Sequence, residues 1–112
     1  MISIDIEFSR PLSGEEVLHG LMVAAREKGL SIQYLPVTVT YAGTRSEERR
    51  FTAISLPLSK GCATLMAGEE DHLMADREYR KVSLELPESE EGEREILESV
   101  LQNLESNSEL PP

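Results

Sequence analysis

Aromatic residues are scarce in this chain: among 112 residues there are two Phe, three Tyr and no Trp. The core must therefore be aliphatic. Cysteine is scarcer still, and the single Cys62 cannot close an internal bridge. A chain of this length can bury one core without disulfides or a structural metal, so one domain is expected over residues 1–106. No apolar run approaches the roughly 18 residues of a membrane span. The opening MISIDIEF lacks the basic and long apolar regions of a secretory signal. A soluble, cytoplasmic protein is the expectation. The sequence also lacks a GxxxxGK[ST] phosphate loop, a GxGxxG turn, a GxSxG elbow and an HExxH helix. Those gaps remove the common signatures of catalysis, imply no cofactor and disfavour an enzyme.

Charge is abundant but unevenly placed. Residues 1–68 hold seven acids and seven bases, whereas residues 69–112 hold 14 acids and four bases and so carry the whole net charge of −10. An acidic half repels phosphate and disfavours sequence-independent nucleic-acid binding. Two local basic clusters run against that trend, Arg45, Arg49 and Arg50 in GTRSEERR and Arg77, Arg80 and Lys81 in DREYRK. Each has acids beside it, so a solvated hairpin tip and a mixed-charge strand are the simplest readings.

ISIDIEF alternates strictly, with Ile2, Ile4, Ile6 and Phe8 on one side, and predicts a half-buried strand that Pro11 closes. Ser13 followed by Glu16 is a capping box, and Val17, Leu18, Leu21, Met22 and Ala25 continue at helical spacing. The helix is predicted over residues 14–28, stopped by Gly29 and Leu30, with His19 turned to water. SIQYLPVTVTYAG and FTAISLPLS predict two strands of a hairpin about residues 43–49, with Pro36 and Pro57 each suggesting an edge. CATLMA pairs back on the second of these, and EYRKVSLEL is a strand ended by Pro87. Ser89 and the acids after it suit a helix start, followed by Ile96, Leu97, Val100, Leu101 and Leu104 at helical spacing. Residues 107–112 are expected to be a disordered tail.

The element order predicts an α+β, two-layer sandwich: a mainly antiparallel four- or five-stranded sheet with two helices on one face. A short helix at residues 69–78 would give a ferredoxin-like element order.

KGCATLMAGEEDHLM concentrates the chain's richest side-chain chemistry, with Cys62, His72, Glu69, Glu70 and Asp71 together. Structural zinc wants four strong ligands, and Cys62 and His72 offer one pair without a CxxC or HxxxH partner. The acids lack the spaced oxygens and turn glycine of a calcium loop. They also favour the protonated thiol over a nucleophilic thiolate, so Cys62 is expected to be a small buried residue on a strand. The carboxylates of PESEEGERE read as a helix cap and a solvated face.

The sequence thus points to a non-catalytic protein-interaction or regulatory module whose acidity would steer a basic protein partner. Its contacts would be made by a sheet edge, by the acidic half, or by the stripe Ile96, Leu97, Val100, Leu101 and Leu104, which could also form a homodimer seam. One alternative is a small enzyme or ligand-binding domain with a pocket of Cys62, His72, Arg77 and Tyr79. The other is a nucleic-acid accessory subunit acting through Arg45, Arg49 and Arg50.

Overall fold

The computed structural model describes residues 1–41 and 47–111, with backbone alone over 36–41 and 47–51. The fold is α+β. Its strands are β1 (Ile2–Ser13), β2 (Gln33–Tyr41), β3 (Glu47–Pro57), β4 (Cys62–Met66), β5 (His72–Met74) and β6 (Glu78–Leu86), and its helices are α1 (Gly14–Glu27) and α2 (Arg94–Leu104). They form a six-stranded antiparallel sheet in the order β1-β6-β4-β3-β2, with β5 paired to β3 beyond the end of β4. The sixth strand answers the question of residues 69–78. A strand at His72–Met74 replaces the short helix that the ferredoxin-like order requires.

Strand β1 keeps the expected alternation but does not stop at Pro11. Its register against β6 shifts between Glu7 and Leu12, and it runs on to Ser13 with Leu12 fully buried. Proline is tolerated because β1 is an edge strand and the residue lies in a bulge, where no ladder donor is needed. The bulge frees the Ser9 amide, which donates to Glu105 Oε1 at 2.6 Å, while the Ser9 hydroxyl donates to Glu105 Oε2. One carboxylate thus ties the bulged edge to the end of α2.

Helix α1 starts as expected: Glu16 N–H donates to Ser13 Oγ at 3.1 Å, and Ser13 N–H donates to Glu16 Oε1 at 2.9 Å. It stops in a Schellman arrangement, with Leu30 N–H bonded to Ala25 O, Gly29 N–H to Arg26 O, and Gly29 at φ +72°. His19 is half-buried, not fully turned to water. The two helices share one face of the sheet, where α1 packs on α2 and both touch β1. They cross at Gly20, where an added Cβ would lie 2.3 Å from the Leu104 carbonyl oxygen. Only a glycine allows that approach.

The C-terminal segment departs from expectation in three ways. Ser89 caps nothing; a 3-10 stretch (Glu88–Glu93) precedes α2 with no side-chain cap. Within it Glu90, read as a solvated acid, is 2 % exposed. Its Oε1 accepts the Lys60 amide at 2.5 Å and its Oε2 the Ser59 hydroxyl at 3.3 Å, so it holds the β3–β4 turn. The tail is also anchored further than expected, since a 3-10 turn covers Glu105–Asn107 and Ser108 is fully buried.

Two outcomes follow. Gly20→Ala is expected to lower stability by about 1–3 kcal/mol, because a backbone oxygen meets the new methyl; a denaturant melt measures it. Glu16 and Glu105 contribute to the acid dependence of stability. The bond from the Ser13 amide, with help from Arg10, holds the Glu16 carboxyl below the usual 4.5, and the Ser9 hydroxyl and then its amide do the same for Glu105. Both groups are depressed on folding, so their contribution is complete above the unfolded value and fades as pH falls through the folded one. Acid melts of Glu105→Gln should therefore show a shallower loss of stability below pH 4.5 than wild type.

Candidate functional site

With both helices on one side, the other face of the sheet is left bare among the described residues. Antiparallel partners share a face, so the register gives its composition directly. One row crosses five strands: Ser3 on β1, Glu85 on β6, Thr64 on β4, Ser55 on β3 and Gln33 on β2. A second joins Asp5, Ser83 and Met66, and a third joins Leu35, Ala53 and His72. Glu7 stands opposite Lys81. Asp5, Glu7 and Glu85 make the β1–β6 half of this face acidic around that one lysine. Depressions run across it, one lined by Asp5, Glu7 and Glu85, another by Cys62, Met66 and Asp71.

Cys62 belongs to this bare face and is exposed, contrary to its expected burial. The cause is strand parity: Ala63 and Leu65 take the core side of β4, which leaves Cys62, Thr64 and Met66 on the other. A short turn follows, with Ala67 and Glu70 bridged by backbone bonds and Gly68 at φ +68°. This turn presents the acids of KGCATLMAGEEDHLM. His72 Nε2 lies 3.4 Å from Glu70 Oε2, and His72 Nδ1 lies 3.4 Å from Asp71 Oδ1. Glu70 Oε2 is also 3.9 Å from Arg77 Nη1.

The candidate pocket of Cys62, His72, Arg77 and Tyr79 is thus divided. Glu70 brings His72 and Arg77 together, and the Arg77 guanidinium stands 5.8 Å from the centre of the Tyr79 ring. Cys62 pairs with Pro57 and His72 with Ala53, four positions apart on β3 and so about 13 Å apart along the strand. Tyr79 pairs with Leu12 and is buried on the helix side, where its hydroxyl accepts the Met74 amide at 2.9 Å. Backbone bonds lock this corner: Gly14 N–H donates to Arg77 O at 2.9 Å, and Glu15 N–H to Ala75 O at 3.4 Å. Carbonyl groups thereby occupy the first amides of α1.

The stripe offered as a contact or homodimer surface is spent within the chain. Leu97, Val100, Leu101 and Leu104 are buried and Ile96 packs against the same core cluster. Each such side chain gains about 1.5–3 kcal/mol by full burial, which the helix-bearing sheet face already supplies. Of the arginine cluster, Arg45 lies outside the described residues, and Arg49 and Arg50 fall on β3 opposite Val39 and Thr38. No helix among the described residues is long and apolar enough to cross a membrane.

No family model matches this chain, and neither the curated proteins nor the solved structures contain a significant match. Tyr79→Phe is expected to cost about 1–3 kcal/mol by stranding the Met74 amide. Amide exchange should localise the loss to β5.

Proposed function

We propose that the chain is a non-catalytic protein-interaction module, and that the bare sheet face receives a basic segment of its partner. The observation that carries this reading is the placement of Asp5, Glu7 and Glu85 on one side of an uncovered sheet, beside the apolar Met66. Acidic side chains at the rim steer a cationic partner, while the flat row of Ser3, Thr64 and Ser55 leaves room for it to lie across the strands. Catalysis finds less support. Cys62 and His72 stand well apart along β3, and the Tyr79 hydroxyl is engaged by the backbone.

A short peptide rich in Lys and Arg, titrated into isotopically labelled protein, tests the reading. Amide shifts are expected on Ser3, Asp5, Thr64 and Glu85, and the affinity should fall as salt is added. The double reversal Asp5→Lys with Glu85→Lys should weaken binding by about tenfold or more, roughly 1.4 kcal/mol. Shifts confined to the exposed side of α2, or an affinity indifferent to the reversal, would overturn the proposal.

A further inference from the structure

The ladder along β3 is interrupted where β4 gives way to β5. From Ser55 to Ala53 the step on β3 is two residues, yet their partners Thr64 and His72 are eight apart. The surplus includes the turn over residues 67–71, closed by the Ala67–Glu70 bridge and by Gly68 at φ +68°. This turn is an arm beside the bare face. Gly68 borders the depression lined by Asp5, Glu7 and Glu85, and Glu69 and Asp71 border the one beside Cys62 and Met66. Asp71 also borders a third, with Leu35 and Ser55. The arm thus carries its acids, Glu69, Glu70 and Asp71, next to the proposed binding surface.

His72 stands at the foot of the arm, and both of its ring nitrogens face carboxylates. Nε2 lies 3.4 Å from Glu70 Oε2, and Nδ1 lies 3.4 Å from Asp71 Oδ1. An ionised carboxylate only accepts hydrogen bonds, and a neutral imidazole has one donor nitrogen and one acceptor. Both contacts therefore hold together only when the ring carries two protons. Without the second proton, one nitrogen turns a lone pair toward a carboxylate, and that contact is lost. Arg77 adds a second cation to this corner, 3.9 Å from Glu70 Oε2, whereas Ala53 beside His72 on β3 and Leu35 beyond it on β2 are uncharged.

We infer that His72 is a pH-operated clasp on the acidic arm, closed when the imidazole is protonated and open when it is neutral, and that it tunes the affinity of the bare face for a basic segment. The tuning rests on the binding role proposed above; the clasp itself does not. Imidazole changes charge between about pH 5 and 8, a range in which ordinary carboxylates and lysines keep theirs. As pH rises through it, the corner loses one positive charge and one carboxylate of the arm is released beside the face. A cationic partner gains from both changes. Its affinity therefore rises with pH.

Two measurements on the full chain test it. In the first, backbone relaxation of the labelled free protein is followed across about pH 5 to 8 beside the His72 ring signal. The amides of residues 67–71 should become more mobile as the ring loses its proton, with the same midpoint. His72→Gln, neutral at every pH, should show the mobile arm throughout; the side chain is partly exposed, and circular dichroism should show the variant folded. In the second, the peptide rich in Lys and Arg is titrated at constant ionic strength. Its affinity should rise about two- to fivefold over the same range, the scale of an exposed ion pair. His72→Gln should bind at the high-pH level throughout, whereas His19→Gln, on α1 across the sheet, should keep the wild-type profile. An arm whose order ignores the His72 titration defeats the clasp. Affinity that is flat in pH, or pH dependence that survives in His72→Gln, defeats the tuning. A peptide that binds at no pH defeats the binding role and the tuning together, while the relaxation data still decide the clasp.

Discussion

Both helices must fit on the same face of one sheet, and the rest of the molecule depends on how that is achieved. Gly20 lets α1 approach the Leu104 carbonyl closely, which brings α2 down beside it on the sheet instead of leaving its apolar stripe to solvent. With α2 seated, Glu105 comes within reach of the Ser9 bulge, and the chain just before α2 carries Glu90 into the β3–β4 turn. Glu90 is buried in its contact, whereas the bonds between Glu105 and Ser9 lie at the surface. The opposite face is then left bare, since no other element among the described residues covers it.

Much of this was legible from periodicity. Ile4, Phe8, Val17, Leu21, Ile54, Leu56, Val82, Leu84, Leu97 and Leu101 sit in the core where their spacing places them. The capping box of Ser13 and Glu16 and the glycine stop at Gly29 were also readable, because each is a local motif whose partners lie within a few residues. The misreadings are of two kinds, distant partners and strand limits. Pro11 looks like a terminator unless the bulge against β6 is known, and Pro57 looks like an edge marker although β3 is interior and merely ends there. Glu90 looks like any other acid in PESEEGERE until the turn thirty residues earlier folds against it. Cys62 looks buried by composition, but its parity on β4 depends on where that strand begins. For Pro11 and Glu90 the deciding partner is distant in sequence, and a local pattern holds no record of it.

The candidate site shows the same division. The acids and His72 of KGCATLMAGEEDHLM do gather, on a turn forced by Gly68, yet their nearest companion is Arg77 from the next connection and not Cys62. The bare face was invisible from sequence because its rows are assembled across five strands. Asp5 and Glu85 are far apart in the chain, and only the β1–β6 register makes them neighbours on one surface.

That register also governs the order of events at the ribosome. Ile2 pairs with Leu86, so β1 is made well before the strand it pairs with. At synthesis rates of about 5–20 residues per second, Ile2, Ile4, Ile6 and Phe8 wait roughly 4–16 seconds for β6 to exist. The hairpin of β2 and β3 can close meanwhile, since its contacts are local, whereas closure of the sheet is a late, long-range step. The nascent chain therefore carries an apolar strand without its partner until β6 has been made. The Asp5 and Glu7 side chains that alternate with those apolar residues keep that strand charged while it waits.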